Sequence, residues 1–257
     1  MKKSILKSSL ALFGACLLFS CFDDNRNIHA SYGVIQDASS KNYYQILTDK
    51  GNTLIVTESY TSQSIENGKR VFANFEVKSD KDSRKKIYEV KVNGFYQLLS
   101  KPVVNESYVL ANEEVRRDSI GNDPFIDVYA WFGGDYININ FEAFFKNYSS
   151  VKHLINLVYD DTRSTSDTLY LSLKHNAYGE TANNNMYLHS GIGRCSFLLS
   201  NLLAADIKYK PVKLTWLEYR YDGHHVERSK TGLFTTEPSS IDNFDSAQLN
   251  SIEENIR

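Results

Sequence analysis

From position 136 the chain places Ile137, Ile139, Phe141, Ala143 and Phe145 in alternation with Asn138, Asn140 and Glu142. Side chains of a strand point to opposite faces at every second residue, so this run is a strand whose apolar face must be buried against another layer. Gly133-Gly134-Asp135 stands before it, and residues 125–132 supply the opposite arm of a hairpin. Further strands are predicted over 153–159, 168–174, 195–199, 212–221 and 231–235. Seven antiparallel strands divided by Gly and Asn turns fit an immunoglobulin-like β-sandwich over residues 123–237, without the cysteine pair of antibody domains. Residues 179–193 read as a long polar loop, and residues 238–257 as a polar tail with a weak helical stripe.

Ahead of this module lies a second set of strands, at 32–36, 43–48, 53–57, 69–78 and 87–93. The second and third close across Asp49-Lys50-Gly51-Asn52, a turn with glycine available for positive φ. In the fourth, Val71, Ala73, Phe75 and Val77 share one face, and the mixed charges of 79–86 mark a hairpin tip. Five short strands predict an OB-like barrel over residues 30–104, with the polar stretch 105–122 as linker. The expected fold class is therefore all-β, a barrel followed by a sandwich.

The first 29 residues have a different character. Lys2, Lys3 and Lys7 precede an apolar run of about ten residues ending in Leu18-Phe19-Ser20-Cys21, with Asp23 and Asp24 behind it. That run is half the ~20 residues a transmembrane helix needs, which is the pattern of an export signal. Residues 1–20 are predicted to leave as a lipoprotein signal peptide, with Ser20 fitting the peptidase and Cys21 taking lipid on its thiol. Cys16, after Phe13-Gly14-Ala15, is a competing position. Residues 21–29 then form a tether, and the chain is expected at the outer membrane and cell surface, attached through acyl chains.

Charge and cysteine content agree with export. The three lysines leave with the signal and no acid does, taking the formal charge from −2 to −5. An acidic chain without a clustered basic face excludes a nucleic-acid partner. Once Cys16 is removed and Cys21 acylated, Cys195 stands alone, so no disulfide is expected and Cys195 reads as a small core residue.

The Cys-Phe-Asp-Asp start, Gly68-Lys69-Arg70-Val71-Phe72-Ala73-Asn74-Phe75, Val92-Asn93-Gly94, and Asp123-Pro124-Phe125 leading into the Gly133-Gly134-Asp135 hairpin together resemble the NigD-like lipoproteins. The resemblance implies an N-terminal OB domain, a C-terminal β-sandwich and a role in immunity to a bacteriocin. It implies no biochemical activity.

No catalytic signature is present: no Gly-x-Ser-x-Gly, no His-Glu-x-x-His and no phosphate-cradling glycine loop. No cofactor and no metal are expected. His153, His175 and His189 stand apart in the sequence and read as ordinary surface or core residues, and His224-His225 reads as an exposed turn. Asp160-Asp161 with Asp167 carries oxygens suited to calcium but reads first as a polar turn. Trp131, Trp216, Tyr219 and Tyr221 offer a platform for a sugar or peptide, although strand alternation must bury some of them. Asp118-Ser119-Ile120, Asp167-Thr168-Leu169 and Asp245-Ser246-Ala247 resemble envelope O-glycosylation triplets. The expectation is a non-enzymatic, lipid-anchored interaction scaffold, with surface glycan binding as the alternative and an envelope carbohydrate-active enzyme behind both.

Overall fold

The computed structural model describes residues 28–40, 43–115, 119–146, 151–180, 188–199, 210–220, 223–232 and Ile256. The predicted signal peptide, Ser20, Cys21, nearly all of the predicted tether, Asp118, Tyr221, the triplet at Asp245 and the predicted tail apart from Ile256 lie outside the described residues.

Strands β1 (Ile28–Ser40), β2 (Tyr43–Thr48), β3 (Thr53–Ser59), β4 (Arg70–Asp82) and β5 (Ile87–Gln97) close into a barrel in the order β1-β2-β3-β5-β4. All neighbours are antiparallel except β3 and β5, the OB arrangement. Gly51, at φ +77°, carries the turn from β2 to β3. Inside, Ile35, Tyr44, Ile46, Val56, Val71, Val90, Val92 and Phe95 fill the middle and one end. Each large side chain buried there contributes ~1.5–3 kcal/mol relative to exposure.

The sandwich is broader than the sequence indicates. Leu99–Pro102 (β6) and Val104–Asn105 (β7), expected to end the barrel and begin the linker, each join a sheet of the sandwich. After the short helices α1 (Glu106–Ala111) and α2 (Glu113–Val115) come β8 (Asp127–Gly133), β9 (Tyr136–Lys146), β10 (Leu154–Tyr159), β11 (Leu169–Asn176), β12 (Leu188–Leu198), β13 (Val212–Tyr219) and β14 (His225–Gly232). One sheet runs β6-β12-β9-β8 and the other β14-β13-β11-β10-β7.

Three pairings, β6 with β12, β7 with β10 and β11 with β13, are parallel, where only antiparallel strands were expected. Alternation marks which face is apolar and carries no information on strand direction, so the crossovers leave no trace in the sequence pattern. The predicted loop 179–193 is partly strand, since β12 starts at Leu188 and pairs with β9 through to Leu198. The last described strand, β14, begins at His225, ahead of the predicted 231–235.

The apolar face of β9 meets Ile155, Leu157, Leu169, Leu171, Leu173, Phe197, Val212 and Leu214 in one core. Ile256 docks into that core and bridges His153, so the far end of the chain returns to the sandwich.

Candidate functional site

Three side-chain assemblies stand out, and the first joins the two modules. Arg70 opens β4 with its side chain 1% exposed, facing Asp49 at 6%. Its Nη1 donates to Asp49 Oδ1 at 2.6 Å, and its Nη2 donates to Asp49 Oδ2 and, at 2.8 Å, to Asn138 Oδ1. Its Nε donates to Ser196 Oγ at 3.3 Å. Asn138 Nδ2 donates back to Asp49 Oδ2 at 2.8 Å, and Ser196 Oγ donates to Asn138 Oδ1 at 2.7 Å. The guanidinium lies 4.4 Å from the centre of the Tyr136 ring. A buried ion pair persists only when its remaining donors and acceptors are used, and here the bidentate pair is completed by side chains of the other module.

Around this pair the seam is aromatic. Tyr32 packs on Phe72 at 4.8 Å and edge-on to Trp131 at 5.0 Å, and its hydroxyl donates to Asn140 Oδ1 at 2.9 Å. Asn138 and Asn140, the polar face of the strand that opened the sequence argument, are thus covered by the barrel. Gly133 belongs to the same contact, because a Cβ there would lie 2.0 Å from Asp49 Oδ2. Gly133→Ala is expected to push Asp49 off Arg70 and cost ~1–3 kcal/mol, read by urea unfolding. An unchanged midpoint would show that the seam has slack.

The second assembly is the open end of the barrel. A cavity of about 370 Å³ lies there, within the range of small-ligand sites. Its floor is Leu54, Phe75 and Val77, and its rim is His29, Ser31, Lys50, Asn52 and Tyr88, with Ala30 beside them. The His29 ring stacks on Phe75 with centroids 5.7 Å apart. Three elements build the mouth: the start of β1, the β2–β3 turn, and the β4–β5 hairpin.

The third is buried in the sandwich. His153 and His175, far apart in sequence, face each other with Nδ1 and Nε2 at 2.9 Å, and His153 Nε2 lies 3.2 Å from Glu180 Oε2. The Glu180 carboxylate can only accept and so pairs with His153 Nε2–H, while on the far side His175 Nδ1 lies 3.4 Å from the Pro124 carbonyl, which also can only accept. Burial pushes the His175 imidazole down to about 3, with the neighbouring His153 adding to the effect. Burial also lowers His153, against the opposing pull of Glu180. Both rings are neutral at pH 7 and tie β10, β11 and the following loop together.

The remaining sequence candidates are dispersed. Trp131 is 1% exposed in the seam and Trp216 packs against the sandwich core, while Tyr219 stands edge-on to Phe144 at 5.1 Å. These three do not assemble into one platform. Asp160 Oδ1 accepts from Thr162 N, Thr162 Oγ1 and Arg163 N and so serves the turn between β10 and β11, whereas Asp161 accepts from Ser107 and ties that turn to α1. His189, His224 and His225 are exposed. Cys195 is a fully buried thiol outside any disulfide, and it contacts the Ile139 carbonyl. Native protein is therefore expected to resist a thiol reagent that labels Cys195 fully in urea, and fast native labelling would contradict its burial.

Sequence reasoning missed the seam and the mouth. The single available signal was Asn, in place of Lys or Glu, on the supposed outer face of β9.

Comparison with known proteins places this fold. Residues 107–229 match the family model of the NigD-like C-terminal beta sandwich domain. No curated protein matches the sequence. Among solved structures, a NigD-like immunity protein from Bacteroides caccae is similar with TM-score 0.58 and 19% identity, over 81% of this chain and 97% of that one. A protein of unknown function from Bacteroides vulgatus gives TM-score 0.58 and 19% identity, over 88% and 99%. A candidate lipoprotein from Bacteroides fragilis gives TM-score 0.57 and 13% identity, over 82% and 100%. No helix among the described residues is long and apolar enough to cross a membrane. Residues 107–229 are thus a NigD-like C-terminal beta sandwich domain, and they stand behind a closed five-stranded barrel.

Proposed function

We propose that this is a lipid-anchored envelope protein that works by binding and not by catalysis, with protection against a bacteriocin as its sharpest form. The observation that carries the reading is the barrel mouth. It offers an apolar floor and hydrogen-bonding rim groups, without a nucleophile and base set against each other. Anchoring enters through Cys21: Ile28, the first described residue, follows it by seven residues, a reach of about 25 Å at most, so the mouth would stay near the bilayer. A NigD-like immunity protein with the same fold supports the protective role by analogy. Glycan capture is less well supported, because Trp131 is buried in the seam, away from the partly buried Trp216 on the sandwich.

Deleting the gene and challenging the cells with bacteriocins tests the protective role. Increased killing is expected, and unchanged sensitivity removes it. Mass spectrometry of the native protein tests the anchor: the expected species starts at Cys21 and carries acyl chains, and a bare thiol or a retained signal removes that part.

A further inference from the structure

We infer that the tip of the β4–β5 hairpin, Arg84-Lys85-Lys86, docks on anionic lipid head groups and so holds the barrel against the bilayer; this rests on reading Cys21 as a membrane anchor. It is the single run of three consecutive basic residues in a chain whose formal charge is −2, and all three are exposed. The lysines behind them are neutralised along the strands, Lys78 by Glu76 at 3.0 Å and Lys81 by Glu89 at 2.6 Å. Asp82 caps the 3-10 turn Ser83–Lys85, its Oδ1 accepting from Lys85 N and its Oδ2 lying 3.8 Å from Lys85 Nζ. The exposed Asp80 is the remaining acid of the hairpin. Arg84 and Lys86 form no ion pair among the described residues.

Backbone geometry gives an independent sign that the charge is kept at a cost. Lys86 stands at φ 56° and ψ 45°, the left-handed region that glycine or asparagine enters more cheaply. Its N donates to Ser83 O at 3.2 Å and its O accepts from Thr53 N at 2.9 Å, which pins the tip in that shape. Position supplies the partner. Ile28, where the chain enters the barrel, is level with Glu76, and β4 runs on to Asp82. Because β1 and β4 are antiparallel, the hairpin projects roughly 20 Å of strand beyond Ile28, on the side where the chain enters. The seven residues from Cys21 to Ile28 reach about 25 Å at most, so an anchor on Cys21 brings the tip to the head groups. Each Lys or Arg at an anionic surface strengthens attachment roughly fivefold.

The test holds the mature chain, with Cys21→Ser and an N-terminal hexahistidine, on phosphatidylcholine vesicles carrying a nickel-chelating lipid. Approach of the tip is read as energy transfer from a dye on Ser83→Cys to a rhodamine-labelled lipid; Cys195 is buried, so the introduced thiol takes the dye. Adding phosphatidylglycerol should raise the transfer roughly twofold or more, and high salt should reverse the rise. Arg84→Gln with Lys85→Gln should remove it, whereas Lys146→Gln with Lys152→Gln, an equal loss of charge from exposed sandwich positions, should not. Lys86→Gly should raise the urea midpoint by relieving the left-handed backbone and yet lower the transfer, a split that a merely structural lysine would not give. No rise on the anionic vesicles, or a rise that the tip double variant leaves intact, overturns the inference. The artificial tether makes the result independent of acylation. A tip that responds beside a native Cys21 found bare removes the anchor and leaves the basic patch, and an acylated Cys21 beside an unresponsive tip removes this inference alone.

Discussion

Asp49→Ala is expected to destabilise the protein by ~3–5 kcal/mol, because it strands a buried guanidinium whose only carboxylate partner among the described residues is Asp49. At ~2–4 °C per kcal/mol for a chain of this size, melting should fall by roughly 10 °C. Arg70→Met alone should cost as much, since it leaves Asp49 enclosed with only Asn138 to answer it. The double variant Asp49→Leu with Arg70→Met should recover most of the loss, because removing both charges also removes the desolvation cost of burying them. Urea unfolding of the parent protein, Asp49→Leu, Arg70→Met and that double variant gives the coupling directly. A single variant losing under ~1 kcal/mol would mean that water reaches the pair and that the seam opens readily. The size of this effect also measures how firmly the barrel mouth is held against the sandwich, since Asp49 and Lys50 belong to one turn.

Acid should weaken the sandwich through the histidine pair. His175 is held neutral with its folded value near 3 while the unfolded chain titrates near the ordinary 6.5, so the unfolded state binds the proton first. The stability contributed by the neutral ring is complete above pH 6.5 and is lost as pH falls from there towards 3. Between pH 7.5 and pH 5 this amounts to ~2 kcal/mol for one histidine, at ~1.4 kcal/mol per pH unit once below 6.5. His153, shifted in the same direction by burial but pulled back by Glu180, should add a smaller share. His175→Phe keeps a ring against Phe125, which now stacks on His175 at 5.0 Å, and removes the titration. Its stability should be lower at pH 7.5, because buried His153 loses its hydrogen-bond partner on that side, yet change less between pH 7.5 and pH 5. Equal slopes for the variant and the parent protein would place the acid sensitivity elsewhere.

The legible and illegible parts of this molecule divide by range. β2 was read to the residue, and β3, β4, β5, β9 and β10 to within a few residues, because alternation and glycine turns are local records of which face is buried. The seam was not legible. Asn138 and Ser196 look like solvent-facing positions of a two-faced strand, yet both are fully buried against Arg70 from a distant strand. His153 and His175 looked solitary because their contact arises from the pairing of β10 with β11.

By itself the sequence determined an all-β chain of two modules, since strand period and turn chemistry each act over a few residues. The tertiary structure alone decided the parallel crossovers, the Arg70–Asp49 lock and the cavity at the barrel end. Those depend on which strands meet, and a charge, a histidine or an empty volume acquires its energy only from neighbours that the chain brings together at a distance.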